Sequence, residues 1–199
     1  MKKSILLFCG AALLLLNCNR KGSATIEQTI SKDSPIEKTF AFPEDWLGDW
    51  SGELEIYDVT GPKQTVPMSL QISNTDTSGV YNWVLVYGKD SLADKRNYVL
   101  KEIDKSKGHY MIDEKNGILL DSYFINDELS SIFAVMGNTL VCSYRRKGQE
   151  LIFSIKMYTS EKIRVSGDTL IAEQKIPEVK SYQHRINQEA RLQKKCLVE

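Results

Sequence analysis

The chain has 199 residues, of which 42% are hydrophobic, 9% aromatic and 26% charged. This is the composition of a globular protein, and it excludes a disordered or fibrous chain. Lysine plus arginine and aspartate plus glutamate each number 26, so the formal charge is zero. A chain with this balance lacks the basic surface that neutralises phosphate groups, which argues against nucleic acid as a partner.

The N-terminus has the features of a secretory signal peptide. Lys2 and Lys3 precede an apolar segment at residues 5–16, and polar residues 17–21 follow it. The apolar segment falls within the roughly 7–15 residues of a signal-peptide core and is shorter than the roughly 20 residues of a membrane-spanning helix. Residues 1–17 are therefore predicted to be removed as a signal peptide.

Cys18 ends this segment in the sequence Leu15-Leu16-Asn17-Cys18. The pattern resembles the lipobox of bacterial lipoproteins, in which the cysteine is acylated, with palmitate among its acyl chains, and becomes the new N-terminus. Asn17 departs from the small residue usual at that position, and the alternative is an ordinary signal peptide with an incidental cysteine. The resemblance implies a stable membrane anchor at Cys18, because several acyl chains hold a protein where one does not. Asn19, rather than an aspartate, implies the outer membrane, and the lack of acidic residues directly after Cys18 favours its periplasmic face.

Residues 18–43 are polar, with Gly22-Ser23 and Asp33-Ser34-Pro35 as linker signals. They are predicted to form a flexible tether, and a flexible chain of about 25 residues spans roughly 25–30 Å on average. The alternative is a short amphipathic helix through Ile26 and Ile30. The tether would hold the folded domain clear of the lipid headgroups.

Residues 44–199 form the predicted folded domain, and their apolar residues recur with period two. In segment 50–56, for example, Trp50, Leu54 and Ile56 share one face while the glutamates face water. This alternation is typical of β-strands. Further strands are predicted at residues 66–72, 81–87, 98–103, 110–112, 118–125, 129–136, 140–144 and 151–158, with one or two more within 163–176.

Short turns connect these predicted strands. Asn116-Gly117, Gly137-Asn138 and Lys147-Gly148 have the residue types of tight hairpin turns. Consecutive strands are therefore expected to pair antiparallel, and a meander of this length is expected to close so that it has no exposed edges. The predicted fold is an all-β, antiparallel up-and-down barrel.

The C-terminal segment, residues 178–196, is predicted to form a short helix against the barrel. Strands such as 83–86 and 132–135 are apolar on both faces and need cover on the outside. Val179, Tyr182, Ile186 and Ala190 fall near one helical stripe, and Ser181 is a suitable N-cap.

Gly48-Asp49-Trp50, at the first predicted strand, resembles the Gly-x-Trp motif of lipocalins and other calycin-type barrels. The resemblance implies that Trp50 closes the barrel floor beneath an arginine or lysine from a late strand, for which Arg164 is the best-placed candidate. Trp50, Trp83 and Arg164 are then candidate ligand-binding residues. The alternative is that both tryptophans are core aromatics in a barrel filled by its own side chains.

No motif of a common enzyme class occurs, so no catalytic residue and no cofactor are predicted. His109 and His184 lie in separate elements without ligand spacing, which argues against a metal site. In an oxidising compartment Cys142 and Cys196 either form one disulfide or leave Cys142 as a small buried hydrophobe.

These features predict a lipid-anchored envelope protein without catalytic activity, whose barrel binds a small apolar ligand or another envelope component. The alternative is an inhibitor or a structural accessory lipoprotein that acts through its surface.

Overall fold

Hydrogen bonds between neighbouring strands close a barrel of antiparallel strands in the structure, a computed structural model that describes residues 40–89 and 92–195. Short 3-10 helices at Glu44–Trp46 and Lys105–Lys107 are the helices of this part of the chain. The strands are β1 (Gly48–Asp58), β2 (Gly61–Asn74), β3 (Val80–Tyr87), β4 (Lys95–Asp104), β5 (His109–Asp113), β6 (Leu119–Ile125), β7 (Glu128–Val135), β8 (Asn138–Lys147), β9 (Glu150–Ser166), β10 (Thr169–Ile171), β11 (Gln174–Ile176) and β12 (Val179–Lys194).

The barrel has the up-and-down order predicted from the sequence. Strands β1 to β8 each pair with the next strand along the chain, and β12 pairs with both β9 and β1 to close the barrel. The predicted hairpin turns are confirmed: Met136 and Gly137, for example, have φ angles of 50° and 75° between β7 and β8. Such positive angles match the right-handed twist of the flanking strands.

The predicted C-terminal helix is wrong, because residues 179–194 form strand β12. Ile186 and Ala190 are four residues apart, and this spacing fits a strand as well as a helix. With Leu192 they face the interior at every second position, opposite Met157, Phe153 and Leu151 of β9. As a strand, this segment pairs the edges of β9 and β1, which a helix would have left open.

Strands β9 and β12 continue beyond the barrel wall. The pairing of β8 with β9 ends at Thr159, and the pairing of β1 with β12 ends at Asn187. Residues 161–183, called the finger below, therefore include the last part of β9, the two-stranded hairpin β10–β11 and the start of β12.

The two ends of the barrel differ. The closed end carries residues 40–47, with their 3-10 helix, together with the β2–β3, β4–β5, β6–β7 and β8–β9 turns. The open end carries the β1–β2, β3–β4, β5–β6 and β7–β8 turns and the finger. Within residues 40–89 and 92–195, no helix is long and apolar enough to cross a membrane.

Candidate functional site

Aromatic side chains from residues 40–47 fill the closed end. The Phe42 ring stacks on Phe124 at 4.5 Å and meets the edges of Trp46 and Tyr110, each at 4.9 Å between ring centroids. The Trp50 indole N–H donates a hydrogen bond of 2.9 Å to the carbonyl oxygen of Trp46. Trp46 and Trp50 have no exposed surface, so both side chains belong to the core at the closed end.

Two cations lie over Trp50. The Arg146 guanidinium carbon is 5.5 Å from the Trp50 ring centroid and 3.8 Å from that of Phe40, and the Lys194 ammonium is 5.4 Å from Trp50. Arg146 is 8% exposed and donates hydrogen bonds to the carbonyl oxygens of Asp45 and of Gly148. Burial lowers the pKa of both cations, and for Lys194 the charge of Arg146 lowers it further.

Arg164 is not the cation over Trp50. It lies exposed in the finger, opposite Ser181 of β12, beyond the barrel wall. The inward register of β8 points to Arg146 instead, because Cys142, Tyr144 and Arg146 alternate along one face of that strand. A cation does lie over Trp50, as the resemblance implies, but two residues take this place: Arg146 of β8 and Lys194 of β12.

The open half of the barrel has an inward wall that its own side chains cover only in part. We call this wall the cup. It consists of half-buried residues that pack against the core: Ile56, Val66, Tyr87, Tyr98, Leu120, Cys142 and Ile155. Directly below the cup, Trp83 is fully buried, with Tyr144 edge-on to it at 5.0 Å between ring centroids. The cup is therefore a mainly apolar, partly exposed inward surface in the open half of the barrel.

The polar groups of the cup are neutral. Burial raises the pKa of Cys142 to about 12 and raises the pKa of Tyr87 and of Tyr144 well above the ordinary value. The pKa of Tyr98 is also raised, first by burial and then by the nearby Glu114 charge. At neutral pH the cup thus offers hydroxyl and thiol groups as hydrogen-bond partners, without a charge of its own on these groups.

The predicted site residues are only partly brought together. Trp83 lies beneath the cup, whereas Trp50 lies in the floor at the closed end and Arg164 in the finger. Tyr87, Tyr98 and Cys142 were missed as site residues because they come from three strands that only barrel closure brings together. Within residues 40–89 and 92–195, Cys142 has no disulfide partner. Cys18 and Cys196 lie outside the described residues, so the lipid anchor and the Cys142–Cys196 disulfide stay predictions.

Both histidines have local partners on the outside of the barrel. His109 lies 2.7 Å from the Asp121 carboxylate and stacks on Tyr123 at 4.8 Å, and His184 stacks on Tyr158 at 4.8 Å. Within residues 40–89 and 92–195, no group of three or more His, Cys, Asp or Glu side chains is placed to hold a metal ion.

A groove of about 430 Å³ lies at the base of the finger. It is lined by Thr139, Tyr158, Thr159, Ser160 and Tyr182. The Ser160 N–H donates a hydrogen bond of 3.0 Å to the Gly137 carbonyl oxygen, which ties this groove to the β7–β8 turn. The finger and the β7–β8 turn therefore share one stretch of surface at the open end.

No family model matches the sequence, and no curated protein matches it. The solved structure of the S-type phycobiliprotein lyase CPES from Guillardia theta is similar at a TM-score of 0.47 and 8% sequence identity, over 75% of this chain and 88% of that chain. A similarity of this extent transfers no activity, ligand or residue role. The barrel architecture of this chain rests on its own strand pairing.

Proposed function

We propose that the barrel is a non-catalytic binding module, which takes a small and mainly apolar molecule into the cup. One observation carries this proposal: the same strands whose inward side chains are fully buried at the closed end leave a half-buried apolar wall in the open half. Small-molecule sites are concave and mostly apolar, with a few polar groups that fix the ligand. The resemblance to calycin-type barrels, which include carriers, agrees with this role.

The side chains of the cup define the class of ligand. Ile56, Val66 and Ile155 favour an apolar body, and the Tyr87 and Tyr98 hydroxyls favour one or two hydrogen-bonding groups on it. A neutral ligand fits better than an ionised one, because a charge brought next to neutral, partly desolvated phenols loses its hydration. We therefore infer an uncharged or weakly polar lipid-like or aromatic molecule.

The test is a pair of substitutions at adjacent positions of β9. Ile155→Trp fills the cup, whereas Lys156→Trp places the same bulk on the outside of the barrel. We expect an organic extract of the wild-type protein and of Lys156→Trp, purified at full length from native envelopes, to contain a stoichiometric small molecule by mass spectrometry. The Ile155→Trp extract is expected to lack it. Equal extracts from the two folded variants would contradict the proposal.

A probe of defined chemistry gives a second readout. N-phenyl-1-naphthylamine is an uncharged dye that fluoresces when it enters an apolar site, so the purified wild-type protein is expected to bind it in competition with the extracted molecule. Ile155→Trp should weaken this binding by at least about tenfold, because the larger side chain occupies the site. If the probe binds both variants equally and all extracts are blank, the cup has no ligand and a role through the surface, as an inhibitor or structural accessory, replaces it.

We further propose that acylated Cys18 holds this module at the periplasmic face of the outer membrane, as the lipobox resemblance implies. Cys18→Ala is expected to abolish metabolic labelling with palmitate, and replacement of residues 1–18 by a conventional cleavable signal peptide is expected to move the protein from the membrane fraction to the soluble periplasmic fraction. Palmitate labelling that persists in Cys18→Ala would contradict an anchor at this residue.

A further inference from the structure

We propose that the open end of the barrel docks on a lipid bilayer through the apolar side chains at the tips of its turns and finger. This inference rests on the proposed binding module with its lipid anchor and adds a membrane-facing orientation. Docking in this way places the mouth of the cup against the bilayer, so that an apolar ligand passes between lipid and cup without crossing water.

Turns at the two ends of the barrel differ in their tip residues. At the open end, Val59 of the β1–β2 turn is 86% exposed, Met136 of the β7–β8 turn 93%, and Leu170 of the finger 74%. The closed-end turns consist of polar residues and glycine, namely residues 75–79, 105–108, 126–127 and 148–149. The exposed side chains of Met136 and Leu170 contribute little to the core of the fold. Their position at one end of the barrel points to contact with an apolar surface outside the protein.

The apolar tips are neighbours around the rim. The strand order β2-β1-β12-β9-β8-β7 places the finger between the β1–β2 turn and the β7–β8 turn. Within the finger, further exposed apolar side chains continue the same arc: Ile163, Val165, Ile171, Val179 and Tyr182. The arc runs along one side of the cup mouth.

The shape of this arc fits a bilayer better than a protein surface. At the β1–β2 and β7–β8 turns the apolar residues project singly, whereas a protein interface has a contiguous core of packed side chains. The finger has equal numbers of basic and acidic residues among its apolar ones, and its cations are Lys162, Arg164, Lys175 and Lys180, of which Lys180 pairs with Glu178 at 2.8 Å. Long lysine side chains reach lipid headgroups while neighbouring apolar side chains insert more deeply. A surface of this kind is suited to the boundary between headgroups and acyl chains.

The length of chain between the anchor and the barrel allows this orientation. A flexible tether of about 20 residues, as predicted between Cys18 and Phe40, spans roughly 25 Å on average and more than 60 Å when extended. Phe40 lies at the closed end, and a barrel strand of about 11 residues is roughly 35 Å long. Both the acylated Cys18 and the open end can therefore contact the same bilayer.

The experiment uses tryptophan as a depth probe in the full-length protein. Met136→Trp and Leu170→Trp introduce a tryptophan at the open end, and Ile125→Trp introduces one at an equally exposed apolar position near the closed end. Each variant is reconstituted into vesicles of phosphatidylethanolamine and phosphatidylglycerol with brominated acyl chains. The three native tryptophans, all fully buried, give the same background in each variant.

We expect brominated lipid to quench the added tryptophan at positions 136 and 170 and to leave the one at 125 unquenched. The docking proposal would be overturned by equal quenching at positions 125 and 136 or by no quenching at either end. It would also be overturned if the protein did not float with the vesicles.

Serine substitutions give the reciprocal test. In the Val59→Trp protein, quenching of the added tryptophan measures the fraction of protein that is docked. The further substitutions Met136→Ser and Leu170→Ser should lower this fraction at least about tenfold, because each lost apolar side chain weakens partitioning by about that factor. Ile125→Ser should leave it unchanged, and the opposite pattern would overturn the proposal. Binding of the uncharged dye N-phenyl-1-naphthylamine by the same variants without vesicles reports the cup separately, so a failure of docking is distinguishable from a failure of the binding module.

Discussion

The closed and open ends of the barrel are built from the same strands, yet their interiors differ. Along β8, Arg146 and Tyr144 are buried near the closed end, whereas Cys142 is half-buried towards the open end. The difference comes from residues 40–47, which bring Phe42 and Trp46 into one end only. Packing that stabilises the fold and surface that is free to bind are thus separated along the barrel axis, and paired substitutions at the two ends test this separation.

The largest expected difference comes from two side chains of similar size on the inward face of β9. Leu151 is fully buried at the closed end, and Ile155 is half-buried in the cup. Leu151→Ala should lower the free energy of unfolding by about 2–5 kcal/mol, and Ile155→Ala by clearly less, because a partly exposed side chain loses less buried surface and leaves no closed cavity. Urea denaturation measures both. Equal losses would mean that the two ends are equally packed.

Adjacent arginines in β8 give the next contrast. Arg146 is buried under hydrogen bonds to two carbonyl oxygens, whereas exposed Arg145 pairs with Glu128 at 2.6 Å. Arg146→Gln should lower the free energy of unfolding by about 2–3 kcal/mol, since it removes charge-assisted hydrogen bonds and a desolvated cation–π contact. Arg145→Gln should cost at most about 1 kcal/mol, as exposed ion pairs usually do. A larger loss for Arg145 would argue that the floor does not depend on Arg146.

The strand meander could be predicted from the sequence because its signals are local. Alternation with period two and turn residues such as Asn116-Gly117 act within a few positions. The end of the chain was mispredicted because Ile186 and Ala190 fit both periods, and only the unpaired edges of β1 and β9 decide for a strand.

The candidate site was less accessible to sequence analysis. The strand register decides between Arg146 and Arg164. It places Arg146 in the barrel interior, and it places Arg164 in the part of β9 that extends beyond its pairing with β8. The cup depends on side chains from several strands and on what residues 40–47 leave uncovered. The exposed fraction of an inward side chain depends on how the barrel closes, and the sequence of a single strand does not determine it.

A buried pair of serines marks the boundary between the filled half and the cup. The Ser122 and Ser131 hydroxyls are 2.6 Å apart, and Ser122 also donates to the Leu120 carbonyl oxygen at 3.3 Å. Ser122→Ala should cost about 1–2 kcal/mol because it leaves Ser131 without this partner, and the double substitution should cost less than the sum of the single ones. A double-mutant cycle by urea denaturation measures the coupling. Additive and near-zero costs would mean that water from the cup reaches the pair, and the filled half would then end lower in the barrel.

The smallest effect is a dependence of stability on pH that reports how dry the cup is. The folded protein raises the pKa of Cys142 from 9.0 to about 12 by burial. Above pH 9 the unfolded chain releases this proton while the folded protein retains it, so this contribution to stability is complete below pH 9 and is lost progressively as the pH rises towards 12. Cys142→Ser removes this thiol and leaves the other cysteines of the chain unchanged. Between pH 9 and 10 the free energy of unfolding of the wild-type protein should therefore fall by about 1 kcal/mol more than that of the variant, as measured with urea under reducing conditions. Between pH 9 and 10 the folded thiol keeps its proton and adds no charge beside Tyr87 and Tyr144, so the contribution of the tyrosines to the slope is similar in both proteins. Identical slopes would show that the Cys142 thiol is solvated in the folded protein, and the cup would then be a water-filled opening rather than a surface prepared for an apolar ligand.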